Sequence, residues 1–330
     1  MGTTGASASH RRTAGGARSL VGTARADQVF RIALIVAAVS IPVLLVFLLV
    51  ELIRGAELAI AQFGFSFITR NVWDPIKGDF GAISLIVGTL VTSLVALLIA
   101  APLSLGVAIY LTEFAPPWLS RPVSMIIELL AAIPSVVYGL WGLFVLVPVL
   151  RHTVFPALRS ALGFLPFFKG VIYGPSVLSA SIILAIMVMP FIMSVSREVL
   201  LAVPNSQREA AMGLGATRWE AVRTAIVPYA RSGIIGAVIL GLGRALGETM
   251  AVTMLIGNSH ELSLSLFAPG YTMAAVIANE FKEAVTPLHI SAMVYVALVL
   301  FLLTVLMNAA ARLLIWRVSR GAGPVGGRGI

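Results

Sequence analysis

The chain has 330 residues, of which 23 are basic and 14 acidic, so only 11% of it is charged, against about a quarter of an ordinary soluble domain. Hydrophobic residues make up 59%, which excludes a core buried away from water as the organising principle and makes lipid the solvent of a single membrane domain. The absence of cysteine excludes disulfides, thiolate metal sites and a cysteine nucleophile, and His10, His152, His260 and His289 are too scattered to suggest a metal cluster.

Residues 1–29 are rich in Gly, Ala, Ser, Thr and Arg. They offer too little apolar surface to offset ordering entropy, so a disordered basic tail is expected. The uncharged run Ile32–Val50 follows. It exceeds the ~7 to 15 residues of a signal-peptide core and is expected to stay as a membrane anchor. Further uncharged runs extend over Phe80–Thr112, Leu129–Leu150, Gly170–Ser196 and Ala284–Ala311, each long enough for the roughly 20 residues of a spanning helix. Together they predict an all-α polytopic membrane protein, with a domain over residues 30–315 and six spans near 30–53, 82–112, 123–150, 175–196, 232–257 and 289–311. A short cytoplasmic tail is expected over 316–330.

With six spans both ends lie on one side. Fifteen Lys and Arg residues then fall on that side and seven on the other, which predicts cytoplasmic termini. Topology thus accounts for the net charge of +9, and no nucleic-acid partner is needed to explain it. Pro102, Pro134, Pro148 and Pro190 interrupt spans. Each removes an amide donor and bends its helix, and a hydroxyl such as that of Ser135 is expected to satisfy a freed carbonyl. A kinked bundle suits ordinary packing as well as a pathway. The segment 151–174 interleaves aromatic and basic residues and suits a helix lying at the lipid interface.

Residues 197–231 form the long polar stretch between spans. Ser206 with Glu209, and Thr217 with Glu220, fit the capping box in which hydroxyl and carboxylate each satisfy an end-of-helix amide. Gly213 and Gly215 between them suit a chain reversal. The stretch is therefore read as two short helices on a tight turn, either a knob that docks into a cytoplasmic partner or a plain surface hairpin. In the next span Arg244 falls at the midpoint, where a lipid-facing guanidinium would cost ~2.5 to 3.5 kcal/mol. Glu248 lies one helical turn on. The two are either a packing ion pair or part of an anion site, since a guanidinium fork matches an oxyanion in bidentate fashion. Glu128, near the start of span three, either reaches the interface or joins the pathway.

Glu209-Ala210-Ala211, Gly215 after three intervening residues, and Pro228 thirteen residues further on resemble the EAA loop of binding-protein-dependent ABC importer permeases. The pattern usually places Ile and Leu ahead of the final proline, where this chain has Ala225 and Val227, a mild departure. The stretch from Arg197 to Asn258, with GRALGETMAV inside it, and the stretch from Glu128 to Pro148 are similar to the PstC family of phosphate-importer permeases, over residues 30–315, more than to the paired PstA family. The resemblance implies a type I permease fold and inorganic phosphate as solute, and no cofactor or metal is expected. The partners it implies are a second, PstA-like permease, two PstB-like ATPase subunits and a PstS-like extracytoplasmic phosphate-binding protein. It further implies that Glu209, Ala210, Ala211 and Gly215 dock on the ATPase. Arg244, Glu248 and Glu128, singled out by their charge within the spans, are the candidates for the solute pathway. No G-x-x-x-x-G-K-[ST] pattern occurs, so the nucleotide site belongs to a separate chain. Another oxyanion, sulfate or molybdate, is the alternative within the class. An ATP-independent secondary transporter or channel is the alternative outside it. A membrane-embedded enzyme is disfavoured because no nucleophile, base and orienting group occur together.

Overall fold

A computed structural model of the chain describes residues 16–320. Two units are described, each by itself. The first consists of α1 (Gly16–Gly55), a helix with Pro42 inside it. It begins within the segment expected to be disordered, where Ala, Arg and Leu have high helix propensity. Residues 1–15 of that tail, and 321–330 of the tail expected at the other end, lie outside the described residues.

The second unit opens with α2 (Glu57–Phe63) and α3 (Ser66–Thr69). A small hairpin follows, β1 (Trp73–Asp74) antiparallel to β2 (Asp79–Phe80), with Trp73 opposite Phe80. The Asp74 carboxylate accepts the amides of Ile76 and Lys77 at 3.1 Å each, and Gly78 takes φ +67°, so the turn is fixed by side-chain capping and a left-handed glycine. Next come α4 (Ile83–Ile109), ending in a π turn at Tyr110–Phe114, and α5 (Pro117–Ala131). The third long helix is assembled from α6 (Ser135–Trp141), a π turn at Gly142–Leu146, α7 (Val147–Val149), a π turn at Leu150–Val154 and α8 (Phe155–Leu162). The most deeply buried span is α9 (Val177–Leu201), capped by Ser176, whose hydroxyl accepts the Ser179 amide at 3.2 Å. The polar hairpin is α10 (Asn205–Gly213) and α11 (Arg218–Ala221). After a π turn at Val222–Ile226 the chain continues through α12 (Val227–Leu246), α13 (Met250–Leu255), α14 (Met273–Glu280) and α15 (Pro287–Arg320).

Among the described residues six helices are long and apolar enough to cross a membrane: Asp27–Gly55, Ile83–Phe114, Ser135–Leu162, Val177–Leu201, Arg218–Leu246 and Pro287–Leu313. Two differ from the expected spans. The run expected as one helix over 123–150 breaks at Pro134, and the long helix starts only at Ser135, so residues 151–162 of the segment read as an interface helix continue that long helix. Pro134 has no amide to donate to Leu130. The freed Leu130 carbonyl accepts the Tyr138 hydroxyl at 2.9 Å, the role expected of Ser135. The run expected over 232–257 breaks after Leu246, with Gly247 as its C-cap and α13 as a separate short helix.

Helix α9 lies at the centre, with α4 and α12 packed along it. Small residues permit the approach, as expected where dispersion drives helix association in lipid. Ala96 and Ala100 of α4 are buried with Leu184 and Val188 of α9, and a Cβ on Gly241 would come within 2.6 Å of Ile192. The Ser104 hydroxyl donates to the Met189 carbonyl at 2.9 Å, a polar tie between α4 and α9.

Candidate functional site

Arg244 lies in the last turn of α12, two residues before the helix stops at Leu246, and the geometry of the stop decides where Arg244 and Glu248 lie. The expected side-chain pair does not form: no ion pair joins them among the described residues. With α12 ended at Leu246, Glu248 leaves the helical face of Arg244. Its carboxylate instead accepts the Ala251 amide at 3.4 Å, at the start of α13. Arg244 lies over the Phe191 ring, 5.8 Å from its centroid, a cation–π contact that leaves the donor fork open. Phe191 is two residues beyond Met189, the middle of α9, so the guanidinium lies beside the middle of α9, although it falls two residues before the end of its own span, Arg218–Leu246, and not at the midpoint expected of a span over 232–257.

The break between α12 and α13 lies beside α6. A Cβ on Gly139 would come within 2.6 Å of the Met254 sulfur and 3.1 Å of the Ala251 Cα, and Gly142 meets Leu255 and Ile183. Two interrupted helices therefore meet against α9, with one free guanidinium and one half-buried carboxylate at the interruption. Such an arrangement can hold an oxyanion where irregular backbone would otherwise be costly. Glu128 is not part of it. It lies on α5, ahead of the Pro134 break, and borders a small cleft with Ser124, Ser194 and Arg197.

The polar hairpin carries the second constellation. The Thr217–Glu220 capping box forms, with the Thr217 amide donating to Glu220 at 2.8 Å and the Glu220 amide to Thr217 Oγ1 at 3.3 Å. The Ser206–Glu209 box does not, because α10 starts at Asn205 with Pro204 as its N-cap and Ser206 is already inside the helix. Of the two glycines only Gly215 has positive φ, at +90°, while Gly213 ends α10. Glu209, Ala210 and Ala211 lie on α10, which buries none of its residues, and Leu214 at the tip is 91% exposed.

Two further clusters escaped the sequence reading. Arg208 reaches Glu113 at the end of α4, 2.9 Å away. Near the opposite end of α4, Glu280 accepts the Trp73 indole at 2.8 Å and lies 3.1 Å from His260 Nε2, while His260 stacks on Trp73 and His289 on Phe80. Two histidines that the sequence scatters thus converge on one hairpin. Pairs separated by 95 and 207 residues leave no local pattern; the one available signal for Glu113 was a carboxylate at the edge of an apolar run.

A family model described as "Binding-protein-dependent transport system inner membrane component" matches residues 100–320. The chain is 48% identical over 301 residues to a "Phosphate transport system permease protein PstC" of Mesorhizobium japonicum, covering 90% of this chain and 92% of that protein. It is 49% identical over 290 residues to the protein of the same description from Haemophilus influenzae, covering 87% and 92%. Among solved structures it resembles a bacterial ABC transporter involved in the import of the acidic polysaccharide alginate, with TM-score 0.55, 19% identity and coverage of 87% of this chain and 98% of that one. Inward-facing MetNI methionine ABC transporter matches with TM-score 0.53 and 20% identity over 72% of this chain and 95% of that one. At these identities the structures establish the fold, that of ABC importer permeases.

Proposed function

The chain belongs to the family of binding-protein-dependent transport system inner membrane components, and on that premise we propose that it is the permease subunit of an ATP-driven phosphate importer. The observation that carries this reading is near-half identity, along about nine tenths of the chain, to permeases described as phosphate transporters. A multi-pass transport component of this kind forms half of a pathway. A second, PstA-like permease supplies the other half, two PstB-like ATPases drive it, and a PstS-like binding protein delivers phosphate from outside. The distribution of Lys and Arg supports cytoplasmic termini and a cytoplasmic α10–α11 hairpin. Glu209, Ala210, Ala211 and the Gly215 turn, on a helix with no fully buried residue, are offered to the ATPase.

In the pathway Arg244 binds the anion beside the middle of α9, its fork free of any carboxylate, and Glu248 stands beside it as an acceptor for a protonated phosphate oxygen. Glu128 lies nearer the cytoplasmic end as a secondary contact. The test is uptake of phosphate and sulfate into proteoliposomes holding the assembled complex. Arg244→Gln is expected to abolish uptake in a complex that still assembles, because a neutral amide cannot replace the charge at that depth. Uptake that continues without ATP would instead identify a secondary transporter.

A further inference from the structure

We infer that Arg208 and Glu113 form the pin through which the α10–α11 hairpin moves the bundle, an inference that rests on the importer reading. Helix α10 has no fully buried residue, so its apolar anchoring is slight, and a helix meant to deliver movement needs a firmer attachment. Arg208 is that attachment. Its Nε donates to Glu113 Oε2 at 3.2 Å and its Nη2 to Oε1 at 2.9 Å, the parallel pair of bonds that fixes direction as well as distance. The same guanidinium donates to the Val203 carbonyl at 2.6 Å, to the Leu200 carbonyl at 2.9 Å and to Asn205 Oδ1 at 3.3 Å.

One side chain therefore ties three parts together: α10, the end of α9 and the π turn that ends α4. The side chains of Arg208 and Glu113 are only 16% and 10% exposed, so the pair is shielded from the screening that makes surface ion pairs weak. Phe114, the next residue, meets Trp219 of α11 with ring centroids 6.5 Å apart, so both arms of the hairpin grip the same turn. From there α4 runs along α9, and a displacement of the hairpin reaches the core of the bundle without crossing a flexible link. Arg208 and Glu113 are positioning residues, remote from the anion.

The decisive experiment uses the assembled complex and exploits the cysteine-free chain. With Glu113→Cys and Arg208→Cys together, ATP hydrolysis is expected to continue while phosphate moved per ATP falls by about tenfold, the usual size of a lost coupling between sites. Joining the two cysteines with a short bifunctional thiol reagent is expected to restore the ratio. Arg208→Lys, which keeps the charge but lacks the fork, is expected to fold and still lose the ratio. An unchanged ratio in the unlinked pair, or in the Lys variant, would overturn the pin, as would failure of the linked pair to recover. A spin label at Val107→Cys on α4, 37% exposed, reads the pin whatever solute is carried. It should respond to nucleotide, and the response should vanish with Arg208→Gln. A label that never responds, or that responds equally in Arg208→Gln, counts against the pin. A normal label response in a wild-type complex that takes up no phosphate removes the importer reading and leaves the pin standing.

Discussion

Single side chains divide here into those whose role follows from their surroundings in sequence and those that acquire one only on folding. Arg244 belongs to the first group, since a guanidinium within an apolar run must face protein or water. Glu248 belongs to both. Its presence near Arg244 was legible, but its bond to the Ala251 amide needed the helix break. That bond makes Glu248→Gln a clean experiment, because glutamine keeps an acceptor for the amide while removing the charge. Transport of phosphate is expected to persist, with a reduced preference over sulfate in competitive uptake; unchanged preference would remove Glu248 from selectivity. Glu280 belongs to the second group. Burial pushes its pKa up, but hydrogen bonds from His260 and Trp73, aided by the attraction of His260, push it down further, and the net value lies below the ordinary 4.5. A depressed carboxylate stabilises the fold at neutral pH and loses that contribution as pH falls through its folded-state value. Glu280→Gln should therefore lower the thermal unfolding temperature of the solubilised protein at pH 7, and the gap to wild type should close on acidification below 4.5.

Among elements, the apolar runs announced the long helices, and the difficulty lay in where they stop. Pro102 and Pro190 sit inside continuous helices while Pro134 ends one, and proline content alone does not separate these cases. At Pro134 the Tyr138 hydroxyl reaches the Leu130 carbonyl across the break, a contact that the apolar run does not announce. The hairpin was more legible because its signals are local: Thr217 and Glu220 cap α11 through the three-residue spacing read from the chain. Ser206 with Glu209 has the same spacing and fails, since Pro204 starts the helix first. Gly215 gives the element its prediction. Nothing lies within 4 Å of a Cβ placed there, but φ is +90°, so Gly215→Val imposes backbone strain without a clash, about 1 to 2 kcal/mol for a left-handed residue. Insertion should be normal, with phosphate-stimulated ATP hydrolysis and uptake both reduced; wild-type uptake would detach the turn from coupling.

For the whole molecule, the prediction concerns sidedness. A single cysteine at Leu214 is expected to resist an impermeant thiol reagent in intact cells and to react in inverted vesicles, whereas one at Ile76, 98% exposed on its hairpin, should do the reverse. Labelling of Leu214→Cys from outside would invert the assignment. That hairpin also has a bearing on how the chain is made. Trp73 is synthesised long before Glu280, its partner 207 residues later, and the stacking surface for its indole is His260. A ribosome delivering this chain to the membrane therefore leaves the hairpin unsatisfied through most of translation, and the final closure is a late, long-range event of the slow kind. The environment of Trp73 therefore reports when the last third of the chain has folded onto the first.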